Sequence, residues 1–161
     1  MTTLTGGIRA FPVGVGAIVD RLVDAVVDDL NAAAWSAPIT AQAAYVPLTR
    51  LHELGAGRRL YVLPAKRSTT TASRGTYEDE REIFVALQEK TDPDDRDEMR
   101  DANSLAEELY DHLTGRDMTV AGRRFAWQEI GTITGADAGY APEHLDALQV
   151  FSCILRVRYL A

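Results

Sequence analysis

From Arg58 to Lys90 the chain reads RRLYVLPAKRSTTTASRGTYEDEREIFVALQEK, and this stretch decides the fold. Over residues 77–90 the side chains alternate, with Ile83, Val85 and Leu87 on one face and Glu82, Phe84, Ala86 and Gln88 on the other, which is the two-residue period of a strand. Arg58–Leu63 is a shorter run of the same kind and its natural hairpin partner. The intervening segment Ala65–Thr76 is small, polar and basic without an apolar period, and it reads as a long mobile loop.

Toward the N-terminus, Ile18, Leu22, Val26, Leu30 and Ala33 recur every three to four residues, while Asp20, Arg21, Asp24 and Asp28 lie opposite. This predicts a helix from Ala17 to about Trp35 with one wet face. Ile39–Val46 predicts a short strand and Leu48–Leu54 a turn of helix. Met1–Gly16, with four glycines and a proline, reads as an N-terminal arm ahead of a single domain over residues 17–161.

Toward the C-terminus, Asp92-Pro93 offers a cap followed by proline at a first helical position, and Asp95 and Glu98 suit the positive end of a helix dipole. Ala102, Leu105, Ala106, Leu109 and Leu113 then form an apolar stripe, and Gly115 stands where a left-handed glycine ends a helix. Arg123–Ile130 predicts a strand and Gly131–Tyr140 a loop. In Val150–Tyr159, Phe151, Cys153, Leu155, Val157 and Tyr159 alternate with a second face that turns basic at Arg156 and Arg158. The sum is an α+β domain: a mainly antiparallel sheet of about four to five strands with two principal helices packed on it.

With 161 residues, 46% apolar and 25% charged, the chain is long enough for one core without a disulfide or metal staple. Its net charge of -7 argues against wrapping nucleic acid, because affinity for phosphate comes from clustered Lys and Arg. Cys153 is the single cysteine and reads as a buried reduced thiol. Apolar runs fall short of the roughly 18 residues of a membrane span, and Met1–Gly16 lacks a basic start, so a soluble, unexported protein without membrane partners is expected.

Sequence motifs recruit no chemistry. His52, His112 and His144 fall in different predicted elements, and His144-Leu-Asp146 reads as a surface turn after Pro142. Gly14-Val-Gly16 lacks the third glycine and the Lys-Ser/Thr of a phosphate loop. Asp92, Asp94 and Asp95 open like a calcium loop, but Arg96 breaks the ligand pattern. The expectation is a protein that is not an enzyme and has no cofactor or metal.

Together the first helix, the strand Arg59-Leu-Tyr-Val-Leu-Pro64, the Ser73-Arg-Gly75 passage, the strand ending Ile83-Phe-Val-Ala-Leu-Gln-Glu-Lys90, the Leu105-Ala-Glu-Glu-Leu109 helix and Tyr140-Ala-Pro142 ahead of Val150–Tyr159 resemble the tail terminator (tail completion) proteins of long-tailed bacteriophages. The likeness covers roughly residues 17–161. It implies a structural virion protein: a homohexameric ring on the tail tube that stops tube growth, contacts the major tail tube protein and a neck or head-completion protein, and lets DNA pass without binding it. The family has no catalytic residues to carry over. Met1–Gly16 and the long Ala65–Thr76 segment depart from a minimal member. Other readings are a different head–tail joining protein of the same particle, or a small cytoplasmic ligand-binding domain or enzyme.

Two sets of charges are the candidate assembly contacts. Lys66, Arg67 and Arg74 lie in the basic segment, which an acidic neighbour in a ring would order. Arg156 and Arg158 can pair with Glu78, Glu80 or Glu82 across a subunit boundary, or remain solvated on an exposed sheet face.

Overall fold

The computed structural model of the chain describes residues 18–45, 57–132 and 149–161. The arm over residues 1–16, the helical turn expected at Leu48–Leu54, and most of the loop that was to hold Tyr140, His144 and Asp146 lie outside them.

The first helix, α1, spans Ile18–Ala32 and buries Leu22, Val23, Val26 and Leu30. It ends short of Trp35 because the Trp35 indole folds back and donates to the Leu30 carbonyl at 2.9 Å, which satisfies one of the orphan acceptors of a helix end. Asn31 then clamps β1, Ala41–Ala43, by accepting from the Ala41 N–H at 2.7 Å and donating to the Ala41 carbonyl at 3.2 Å. The strand expected over Ile39–Val46 is thus cut to three residues at this clamp.

The larger correction falls in the quoted stretch. Strand β2 runs through Arg58–Ser73 and β3 through Thr76–Lys90, so Ala65–Thr76 is a continuation of the hairpin and not a long loop. A two-residue turn, Arg74-Gly75, joins the strands, with Gly75 at φ +80°, a conformation glycine adopts without steric cost. The β-branched Thr69–Thr71 favour extended backbone. Apolar alternation is missing because this part of the ribbon runs beyond the core: β6, the other neighbour of β3, pairs with it only over Glu80–Lys90. Pro64, which has no N–H to donate, coincides with a register slip before Lys66.

Helix α2 spans Arg96–Leu113 and buries Ala102, Leu105, Ala106, Leu109 and Leu113, the five residues of the sequence stripe. Its cap is Asp95, whose side chain accepts from the Asp97 and Glu98 N–H groups. Asp92 is drawn instead into the preceding turn, where its side chain accepts from Asp94 N–H and its carbonyl from Asp95 N–H. Gly115 follows the helix at φ +73°, as the sequence predicts.

Strand β4, Met118–Val120, has no counterpart in the sequence reading. It pairs with β5, Arg123–Thr132, through a two-residue turn in which Ala121 (φ 52°) and Gly122 (φ 78°) are both left-handed. β5 also takes in Gly131 and Thr132, which the sequence reading assigns to the following loop. Strand β6, Val150–Leu160, lies between β3 and β5.

The six strands form one curled sheet in the order β1-β2-β3-β6-β5-β4. Only β1 and β2 are parallel; the other neighbours are antiparallel. The α+β class stands, with a mixed sheet of six strands in place of four to five antiparallel ones. Both helices pack on one face, α1 across β1, β2 and β4 and α2 across β6. Between them and the sheet lie Ile83, Val85, Leu87, Phe125, Phe151, Leu155, Val157 and Tyr159. A smaller cluster, Leu63, Ala86 and Ile154, occupies the opposite face with Tyr61 and Phe84 against it.

Candidate assembly surface

The β2–β3 hairpin places the charges singled out in the sequence along one ribbon. Lys66 stands opposite Glu82 in the register, Arg67 opposite Arg81, Ser68 opposite Glu80 and Thr70 opposite Glu78. Lys66, Arg74 and Glu78 are exposed, Arg74 at the turn itself. Beyond Asp79 the two strands pair only with each other among the described residues: the last contacts of β3 with the C-terminal strand are the paired Asp79 and Ala161 backbones.

At the base of this ribbon Asp79 gathers three guanidinium groups. Arg81 Nη2 donates to Asp79 Oδ2 at 2.9 Å, Arg67 Nε donates to Oδ1 at 3.1 Å, and Arg123 Nη2 lies 3.8 Å from Oδ2. Burial alone would raise the Asp79 pKa, but the bonds from Arg81 and Arg67 outweigh it and hold the carboxyl below its ordinary value. Arg81 is buried, and its Nε has no hydrogen-bond acceptor among the described residues. Arg123 reaches in from β5 and lies over the Phe125 ring, 5.5 Å from its centroid.

Of these residues the sequence reading singled out Arg67 alone. Asp79 and Arg81 were nevertheless legible, because they continue the same two-residue alternation as Ile83, Val85 and Leu87, and a charged pair at the end of a core-facing row should be drawn together. Arg123 was not, since the β5 register that brings it there is a tertiary fact.

The two arginines of the final strand part company. Arg158 Nη2 meets Glu129 at 2.6 Å, and its Nε lies 3.0 Å from Glu80 without the alignment of a hydrogen bond, so β3, β6 and β5 are tied by charge within one chain. Glu82 stands opposite Arg158 in the register. Arg156 is exposed, between Phe84 of β3 and Gly131 of β5.

On the helix side a second polar cluster locks α1 to α2. Asp29 accepts from Arg116 at 2.6–3.0 Å and lies 2.9 Å from His112 Nε2, while His112 also meets Trp35 edge-on at 5.1 Å. Burial acts to raise Asp29, but the bonds from Arg116 and His112 bring its pKa below the ordinary value. Tyr159 lies beneath; burial first, then the charges of Asp29 and Asp117, push its hydroxyl pKa well up, and the hydroxyl has no hydrogen-bond partner among the described residues. His112 is therefore part of a helix–helix lock. Cys153, the single cysteine, is buried.

Among the described residues, no three His, Cys, Asp or Glu side chains converge as metal ligands, and no helix is long and apolar enough to cross a membrane. No protein-family model matches the chain, and no curated protein does. Several chains of solved structures are similar in outline. Among them is a chain of the "Virion of native gene transfer agent (GTA) particle", 15% identical, with a TM-score of 0.49 over 90% of this chain and 98% of that one. A likeness of that degree decides nothing about this chain's role, which rests on its own residues.

Proposed function

We propose that this chain is a structural virion protein, a tail-terminator-like subunit that forms a ring at the head-proximal end of a phage tail tube or related tail-like particle. In that role it stops tube growth and offers the surface on which the neck or head docks. The sequence resemblance over residues 17–161 motivates the reading. The observation that carries it is the ribbon beyond Asp79, where β2 and β3 pair with each other and with no other described strand.

A two-stranded ribbon is marginal by itself in water, and this one is rich in threonine and small residues, with charges at Arg74 and Glu78 and no described apolar row to bury. Its pairing gains most when a neighbouring subunit or the tube end lies against it, as ring assembly would provide. The net charge of -7 suits a ring through which DNA passes, because a net acidic lining repels phosphate over roughly 8–10 Å near physiological salt.

The test is negative-stain microscopy of the purified protein, alone and with short tubes of the major tail protein encoded beside it. Six-fold rings, or caps confined to one tube end, are expected. Absence of both, with binding to a portal instead, would replace the terminator with another head–tail joining protein.

A further inference from the structure

We propose that Arg67, Arg81 and Arg123, gathered on Asp79, form a socket for a carboxylate of a second copy of this chain, supplied by the acidic segment that opens α2. The inference rests on the ring reading above and adds to it the contact that joins one subunit to the next.

The socket has more cation than its own chain neutralises. One carboxylate offers about four acceptor positions, whereas three guanidinium groups carry about five N–H donors each. Asp79 balances the charge of the buried Arg81, and Arg67 and Arg123 bring two further positive charges to the same place. No second carboxylate lies within ion-pair distance of any of the three among the described residues. Arg81 is 4% exposed and its Nε has no acceptor among the described residues, although a buried donor ordinarily has one. The side chains of Arg67 and Arg123 are 61% and 48% exposed, so an incoming carboxylate can reach them. Phe125 under Arg123 holds that guanidinium in position before any partner arrives.

The complementary charge lies at the far end of the same strand. From Asp79 to Lys90, β3 covers about 35 Å at the extended rise per residue. There Asp92, Asp94, Asp95, Asp97, Glu98 and Asp101 stand against Lys90, Arg96 and Arg100. Asp92, Asp95 and Glu98 are occupied with backbone N–H groups of the turn and cap. Asp94 and Asp101 are exposed and make no ion pair among the described residues. A cleft of about 530 Å³ opens beside Asp94, lined by Asp92, Asp94 and Glu98 together with Lys90, Thr91 and Gln149; its three carboxylates outnumber its one lysine, and it has room for an arginine side chain. A cationic end and an anionic end on one molecule attract head to tail, and such a heterologous contact gives a closed ring when the rotation between copies permits.

Sedimentation velocity on charge-swapped variants tests this. Arg67→Glu/Arg123→Glu and Asp94→Lys/Asp101→Lys should each run as monomers under conditions where the wild type forms rings, with self-association weakened by at least about tenfold. An equimolar mixture should recover ring mass, because alternating copies restore an opposite-charge contact at every boundary. Arg67→Gln/Arg123→Gln, which leaves the Asp79–Arg81 pair undisturbed, should also lose the ring while melting within a few degrees of the wild type.

If both charge-reversed variants keep their rings, or the mixture fails to recover them, the socket proposal falls while the ring reading stands. A Gln variant that loses retention of a DNA duplex on a filter but keeps its ring would make the socket a phosphate site, which also overturns the proposal. A wild type that neither forms rings nor caps tubes overturns the ring reading, and this contact with it.

Discussion

At the scale of single residues the structure holds a few positions in costly states, and each gives a measurable expectation. Ala121 sits at φ 52° in a turn that needs two left-handed residues, a conformation that costs a Cβ-bearing residue about 1–2 kcal/mol. Ala121→Asn, which creates the Asn-Gly pair this turn favours, should stabilise the protein by about 0.5–1 kcal/mol and raise Tm by about 2 °C in a thermal melt. Tyr159 buries a hydroxyl without a partner among the described residues, so Tyr159→Phe should be neutral or stabilising by up to about 1 kcal/mol in urea unfolding. Asp29 is the opposite case. Its folded pKa lies below the unfolded value of 3.8, so the stability it contributes is fully present above that value and is lost as pH falls through the folded one. Asp29→Asn should cost about 1–2 kcal/mol at neutral pH and flatten the loss of stability as pH falls below the unfolded value of 3.8, as read from urea midpoints on either side of it.

At the scale of elements, local signals place helices well and misplace the ends of strands. The apolar stripe of α2 is a property of the helical period alone, and the same five residues that the sequence marks are buried. The cap moved from Asp92 to Asp95 because three nearby aspartates compete for backbone N–H groups, and the turn they form decides which one faces the helix. Asp95→Ala should therefore destabilise by about 1 kcal/mol, whereas Asp94→Ala, at a carboxylate without a capping bond, should be close to neutral; chemical denaturation separates the two. Strand pairing behaves differently. The apolar period reports burial rather than extension, so the alternating core part of β3 was legible, while the threonine-rich part of β2 was strand without alternation. β4 is three residues long, too short for any period to register. Of the candidate assembly contacts, the ribbon charges were legible as a group. The Asp79 centre was only half legible, since two of its arginines lie on one hairpin and the third comes from β5.

At the scale of the whole molecule, the ribbon and the body make separable contributions. Replacing Thr70–Glu78 with an Asn-Gly turn between Thr69 and Asp79, which already face each other in the register, should leave the sheet and both helices intact, with Tm within a few degrees of the wild type. Tube capping should be lost, and electron microscopy of the mixture with tail tubes reads that directly. The sequence by itself determined the α+β class, the two helices and their buried faces, the central hairpin and the apolar row of β6, because each is written in a local period or a cap. Tertiary structure decided the order β1-β2-β3-β6-β5-β4, the parallel placement of β1, the pairing of Arg158 within its own chain and the gathering of three arginines on Asp79. Those depend on which strands become neighbours and in what register, and residues far apart in the chain acquire a common environment only when the sheet closes.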